Sequence, residues 1–274
     1  MPRPATALPA DAAGRPARVG LVLAAGGTVG IAWLFGALAA LRRQTGWDPA
    51  SADILAHHRL ASLLGFLPRG HRSTGDIRGL SHEAVRDGWP SHTRLWVNAC
   101  DYKTGRRITF GRPGALDAEL KDAVAASCAV PGYYAPVRIG RRSYADGGLW
   151  SFTNADVLAG EGCDLVICLW PTSSRERGSV LDTAVCGLLR RSVGGRLARE
   201  AETLRAEGTS VVTLQPSAAD LHAMGVTPMG ISRSRHVVET AAASLAGRLA
   251  AGLDRLTPAV EPARRTARPL ARAA

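Results

Sequence analysis

An α/β fold with a mostly parallel sheet is what this sequence predicts, and three observations carry that prediction. Short apolar runs recur at Val19 to Leu23, Ala52 to Leu55, Asp164 to Trp170 and Thr209 to Pro216. Each is built on consecutive apolar residues, as strands covered on both faces are. Helix-like stretches separate them, and strands alternating with helices build a parallel sheet with helices on its faces. At 274 residues and 46% hydrophobic content, the chain can bury a sizeable core.

Taken in order, residues 1–17 are rich in Pro and Ala and read as a disordered segment. A strand over about residues 18–24 passes through Gly26-Gly27 into a helix ending near Arg43. The apolar run at Ala52 to Leu55 opens the stretch DILAHHRLASLLGF (53–66), and Gly65 to Gly79 is a polar connection. Residues 93–112 read as two strands around Lys103-Thr104-Gly105, a hairpin signal. A helix is expected over Leu116 to Cys128, stopped by Pro131-Gly132, then a strand-like RRSYA before Asp146. A buried strand at 164–170, a helix over Leu188 to Glu207, a strand at 209–216 and a helix over Thr240 to Leu253 complete one domain, 18–254. Residues 255–274 form an Arg/Pro/Ala-rich tail, read as disordered.

Charge and cysteines narrow the function. The net charge is +11, almost all from arginine, since Lys103 and Lys121 are the only lysines. The arginines are scattered rather than gathered on one stretch, which argues against nucleic acid and leaves peripheral contact with an anionic membrane. Five cysteines without framework spacing point to a reducing, cytoplasmic setting. The seven histidines have no metal-ligand spacing, so neither a metal nor another cofactor is expected. Val19 to Leu41 runs 23 residues without a charge, long enough to span a bilayer, but Gly26-Gly27 breaks it where a buried strand would turn into a buried helix.

Three blocks could carry chemistry. AAGGTVG (24–30) sets Gly26, Gly27, Thr28 and Gly30 between a strand and a helix N-terminus, where N–H groups converge on one spot. Such a turn suits a phosphate, an oxyanion or simply tight packing, and its GxTxG spacing also offers Thr28 as a nucleophile. In YADGG, Asp146 precedes Gly147 and Gly148 on a sharp turn, fit for a general base or an ordinary Asp-Gly turn. Ser127-Cys128 reads as a packed helix end.

Together with LWVNACDYKTGRRITFGRPGA and SFTNADVLAG, these blocks resemble the patatin-like phospholipase family, particularly its bacterial members, in order and in approximate sequence from about Arg18 to Leu253. The resemblance implies a three-layer patatin-like fold, a lipid or ester substrate with acyl chains, and a Ser–Asp dyad that needs no cofactor. It makes Asp146 the general base, and the N–H groups near Gly26, Gly27 and Thr28 the oxyanion hole, with Gly30, Gly147 and Gly148 as motif glycines. It also turns the apolar run at 19–41 into strand, turn and helix rather than a membrane span.

One part of the pattern is missing. The family's nucleophile stands in a GxSxG elbow directly after the strand Asp53-Ile54-Leu55, because the hydroxyl must project from a strained strand–turn–helix corner. Here Ala56-His57-His58-Arg59 follows that strand, and GxSxG occurs nowhere in the chain. Ser62 lacks flanking glycines, and His57 and His58 supply no acyl-accepting group. The reading is an internal deletion near 56–62 that removed the nucleophile segment. Three outcomes follow from it: an inactive or impaired hydrolase, a non-catalytic module binding acyl chains or protein, or a poorly folded remnant.

Overall fold

The computed structural model describes residues 17–57, 88–131, 134–174, 196, 198–225 and 232–250. Eight strands form one sheet: β1 (Val19–Leu23), β2 (Ile54–His57), β3 (Arg94–Asp101), β4 (Arg107–Phe110), β5 (Val137–Ile139), β6 (Arg142–Asp146), β7 (Leu165–Leu169) and β8 (Ser210–Leu214). Among the described residues, the α-helices are α1 (Gly27–Thr45), α2 (Leu120–Ser127), α3 (over 198–206), α4 (Ala218–Met224) and α5 (Ser234–Ala250). Hydrogen bonding links the strands as β5-β6-β3-β2-β1-β7-β8, with β4 also on β3. The pairs β8-β7, β7-β1, β1-β2 and β2-β3 are parallel, so the mixed α/β fold with a mostly parallel sheet stands as expected.

The β1 side chains alternate between two cores, as a pleated strand covered on both faces requires. Leu21 packs with Trp33 of α1, Leu245 of α5 and Leu169, whereas Val22 packs with Ile54, Trp96, Val166 and Leu204 of α3. A third cluster fixes α2 on the sheet through Val97, Ala99, Phe110, Ala123 and Tyr144. The α1–α5 contact is close because Gly36 has no side chain; a Cβ there would lie 2.4 Å from the Val238 carbonyl.

Several boundaries differ from the sequence reading. The strand expected at Ala52 to Leu55 runs instead over Ile54–His57, because Leu23, His57 and Val97 are in register across β1, β2 and β3. Asp53 precedes the strand and accepts the Val19 N–H at 2.7 Å. Helix α2 is shorter than expected: Leu116 is exposed, and the Ala118 carbonyl accepts the Trp89 indole N–H at 2.8 Å rather than a helical partner. Helix α5 begins at Ser234 rather than Thr240. Two short elements, β5 and α4, had no counterpart in the reading. The capping box of Ser217 and Asp220 was the available signal for α4. Residues 188–195 of the expected 188–207 helix, both terminal segments, and His58 to Ser62 at the expected deletion lie outside the described residues.

Candidate active site

The Gly-rich turn sits where β1 ends and α1 begins. The Ala24 N–H donates to the Leu169 carbonyl at 2.9 Å, and the Ala25 N–H to the Phe152 carbonyl at 3.0 Å. Gly27 opens the helix at φ 62°, a left-handed conformation that favours glycine. Gly26 is required for a different reason: a Cβ there would lie 2.5 Å from Pro171 Cγ and 2.6 Å from Gly30 Cα. Thr172 closes the far side, donating to the Ala25 carbonyl at 3.1 Å while accepting the Trp170 indole N–H at 2.8 Å. The first turn of a helix aims its N–H groups out of the N-terminal end, so the α1 start is suited to negative charge.

Asp146 ends β6 and is fully buried. Its N–H donates to the Ala129 carbonyl at 3.1 Å, and its Oδ1 accepts the Gly148 N–H at 2.7 Å, which fixes the carboxylate over the 3₁₀ turn Gly147–Leu149. The residue's place in the sheet is decided by β3. Val97 pairs with both His57 of β2 and Phe110 of β4, so β2 and β4 flank opposite edges of β3. Ala99 and Cys100 pair with β4 and also with Asp146 and Ala145, so β6 lies on the same edge as β2. The backbone agrees, since the N–H groups of Arg94 and Tyr102 reach Asp53 and Ser143 on that edge while Asp101 reaches Arg106 on the other. Thus β2 runs up one side of β3, β6 runs down the same side, and their ends meet. Asp146 stands opposite Ala99 and His57 opposite Val97, two positions apart, or about 7 Å along β3.

Residues 54–159 match the patatin-like phospholipase family model. The patatin-like segment opens on β2 and contains Asp146-Gly147-Gly148, while Gly26 to Gly30 lie before it. Among solved structures, VipD from Legionella pneumophila is similar, with a TM-score of 0.46 and 12% identity over 92% of this chain and 70% of that one.

After Asp146, the patatin-like segment is held by side chains that the sequence reading had not singled out. The Glu200 carboxylate of α3 is buried among 151–155, accepting from the Ser151 hydroxyl at 2.5 Å, from the Thr153 hydroxyl and from the Ala155 N–H at 3.0 Å. Burial raises the Glu200 pKa above the usual carboxylate range, and the two hydroxyl hydrogen bonds pull it back. Arg107 of β4 makes a two-pronged pair with Asp156 at 2.6 and 3.0 Å, and donates to the Asn154 side chain at 3.1 Å. Asn154 itself is buried at φ 49°. SFTNAD and the block that holds Arg107 were both part of the resemblance; nothing nearby in sequence pointed to Glu200.

Of the residues singled out from sequence, Gly26, Gly27, Thr28 and Gly30 fall on the turn, and Asp146, Gly147 and Gly148 on the corner. The Ala25–Phe152 hydrogen bond joins turn and corner. Ser127 ends α2, its hydroxyl buried without a hydrogen-bond partner among the described residues. Cys100, paired with Ala145, is buried, and burial first, then the Asp146 charge, pushes its thiol up to about 11. Ser62 and His58 lie outside the described residues, and His57 is placed by its backbone alone. Among the described residues, no group of three or more His, Cys, Asp or Glu gathers as metal ligands do, and no helix is long and apolar enough to cross a membrane.

Proposed function

We propose that this chain is a lipid acyl-ester hydrolase by lineage that keeps the charge-handling parts of its site and lacks the nucleophile. Asp146 is the general base of a Ser–Asp dyad, and the N–H groups of Gly26, Gly27 and Thr28 are the cradle for the developing oxyanion. The observation that carries this reading is the meeting of β2 and β6 on one edge of β3. A hydroxyl delivered by an elbow after β2 would emerge beside Asp146, with the Gly-rich turn on the neighbouring strand. In the full dyad, Asp146 would take the hydroxyl proton as the oxygen attacks the ester carbonyl, then return it to the leaving alcohol.

No GxSxG follows β2, so the retained parts hold an acyl group without forming an acyl-enzyme. Loss of a catalytic serine costs about 10⁶ in turnover in a well-studied serine hydrolase. The test is an active-site fluorophosphonate probe together with a thermal melt in fatty acid. The expected result is no labelling, no ester turnover, and a melting temperature that rises with fatty-acid concentration. Labelling with turnover abolished by Asp146→Ala would establish a working hydrolase instead. A melt unmoved by saturating fatty acid would reject the acyl-binding reading.

A further inference from the structure

The tips of two hairpins meet at the end of β3. The β3–β4 turn exposes Tyr102, Lys103 and Arg106, and the β5–β6 hairpin exposes Arg138, Arg141 and Arg142. The tips are tied together, with the Tyr102 N–H donating to the Ser143 carbonyl and Arg142 to the Asp101 carboxylate, each at 2.8 Å. Asp101 also accepts the N–H groups of Lys103 and Thr104 at 3.0 and 2.9 Å, so the turn bearing Tyr102 and Lys103 has a set shape. Asp101 is 2% exposed and engaged by Arg142, and four further cations, Lys103, Arg106, Arg138 and Arg141, are exposed around this one buried carboxylate. Elsewhere, Arg94 and Arg112 pair with Glu161, Arg107 with Asp156 and Arg235 with Glu239, whereas Lys103, Arg106 and Arg141 make no ion pair among the described residues.

The place of this cluster matters as much as its charge. Asp101 pairs with Tyr144, two residues before Asp146 on β6, so the tips project from the sheet edge that carries the candidate site. Helix α1 runs away from that edge and ends in Arg42 and Arg43 at the other. Lys103, Arg141 and Arg142 line one open cavity of about 690 Å³ between the tips, and Arg106 and Arg138 are exposed on the same two tips, so one headgroup can sit in the cavity with neighbouring headgroups against the flanking cations. Tyr102, 46% exposed among them, has the apolar ring and polar tip favoured at a membrane–water interface.

We propose that the joined hairpin tips are a docking surface for an anionic lipid bilayer, bringing Asp146 and the Gly-rich turn to the ester-bearing face of the leaflet. The proposal rests on the reading of the site as a lipid-ester site, and its test is kept separate from that reading. The full chain is sedimented with vesicles of ether-linked phosphatidylcholine, with or without ether-linked phosphatidylglycerol, at low and high salt. Binding is expected to the anionic vesicles alone and to fall as salt screens the surface charge. Lys103→Gln/Arg141→Gln is expected to weaken binding about thirty-fold, since each cation near an anionic leaflet contributes about five-fold. Arg42→Gln/Arg43→Gln removes the same charge at the opposite edge and is expected to change binding by less than about two-fold. Tyr102→Ala gives a smaller loss than the double charge variant. If Lys103→Gln/Arg141→Gln melts early, Tyr102→Ala and the wild-type salt dependence decide the matter.

Equal binding to neutral vesicles would overturn the proposal, as would equal losses in the two double variants. An RNA oligonucleotide bound as tightly, with the same dependence on Lys103 and Arg141, would replace the bilayer with a general polyanion site. Vesicle binding that survives in Asp146→Ala, beside a melt unmoved by fatty acid, would keep the docking surface and reject the ester-site reading. The reverse result would do the opposite.

Discussion

The Gly-rich turn and the Asp146 corner are joined by the Ala25–Phe152 hydrogen bond, yet opposite means hold them in place. The turn is a matter of packing: Gly26 is pressed between Pro171 and Gly30, and Gly27 supplies a left-handed φ. The corner is a matter of polar partners: Glu200 gathers two hydroxyls and an N–H, and Arg107 clamps Asn154 and Asp156. Packed glycines tolerate no added atoms, whereas a buried polar hub tolerates no lost acceptor. The two halves of the site should therefore fail under different substitutions and respond differently to pH.

Glu200→Ala is the severest break expected. It strands three buried donors, and each unsatisfied group costs about 1–3 kcal/mol, so urea unfolding should show a loss of about 3 kcal/mol or more. Melting within a degree of the parent protein would mean that the hub does not organise the corner. Next in size is Gly26→Ala, at about 1–3 kcal/mol for overpacking, visible in the same unfolding curves. A neutral Gly26→Ala would show that Pro171 yields, and the contrast between the two regions would weaken.

The pH response sharpens the contrast further. Burial raises the pKa of Glu200, so the folded state binds its proton more tightly than the unfolded state does. Its contribution to stability is largest at low pH and fades as pH rises through the raised pKa. Asp101, in the docking hairpin, is the reverse case: chiefly the Arg142 hydrogen bond lowers its pKa to about 2. Its contribution is full above the unfolded carboxylate pKa and is lost as pH falls toward 2. Because Arg142 is largely exposed, Asp101→Asn should cost less than about 1 kcal/mol from the ion pair at neutral pH. Stability profiles of Glu200→Gln and Asp101→Asn should depart from the parent with opposite slopes; slopes of one sign would refute the assignment.

The smallest effect expected is a reporter rather than a lesion. With its thiol pushed up to about 11, native Cys100 should be silent to iodoacetamide at neutral pH and react on unfolding. Asp146→Asn removes one of the causes and should bring the thiol down, read as faster labelling at high pH. Unchanged labelling would mean that the Asp146 charge does not reach Cys100.

The same contrast explains what was legible in advance. Strands β1, β7 and β8 and the β3–β4 hairpin were readable because short apolar runs and a Thr-Gly turn encode them locally. The turn at 24–30 was readable because one unbroken heptapeptide contains it. Asp146 was flanked by its own glycines and stood out for the same reason. Glu200 was invisible, since its partners at 151–155 lie 45 to 49 positions away, and a lone Glu on a helix carries no mark of what it will bind. The extent of β2 was misjudged because His57 joins the strand through its neighbours on β1 and β3, a matter of register rather than propensity.

The shared edge of β3 also bears on how the site is tied to the sheet. Along that edge β2 ends with His57 opposite Val97 and β6 ends with Asp146 opposite Ala99, so the two strands divide the edge between them. Among the described residues, the register of β1, β2 and β3 is set by the four residues of β2, each of which pairs with a residue of β1 and a residue of β3. Four residues thus act as a keyway: they lock three strands together while the two strand ends beside them carry the candidate chemistry. A scaffold built this way lets chemistry be edited separately from architecture.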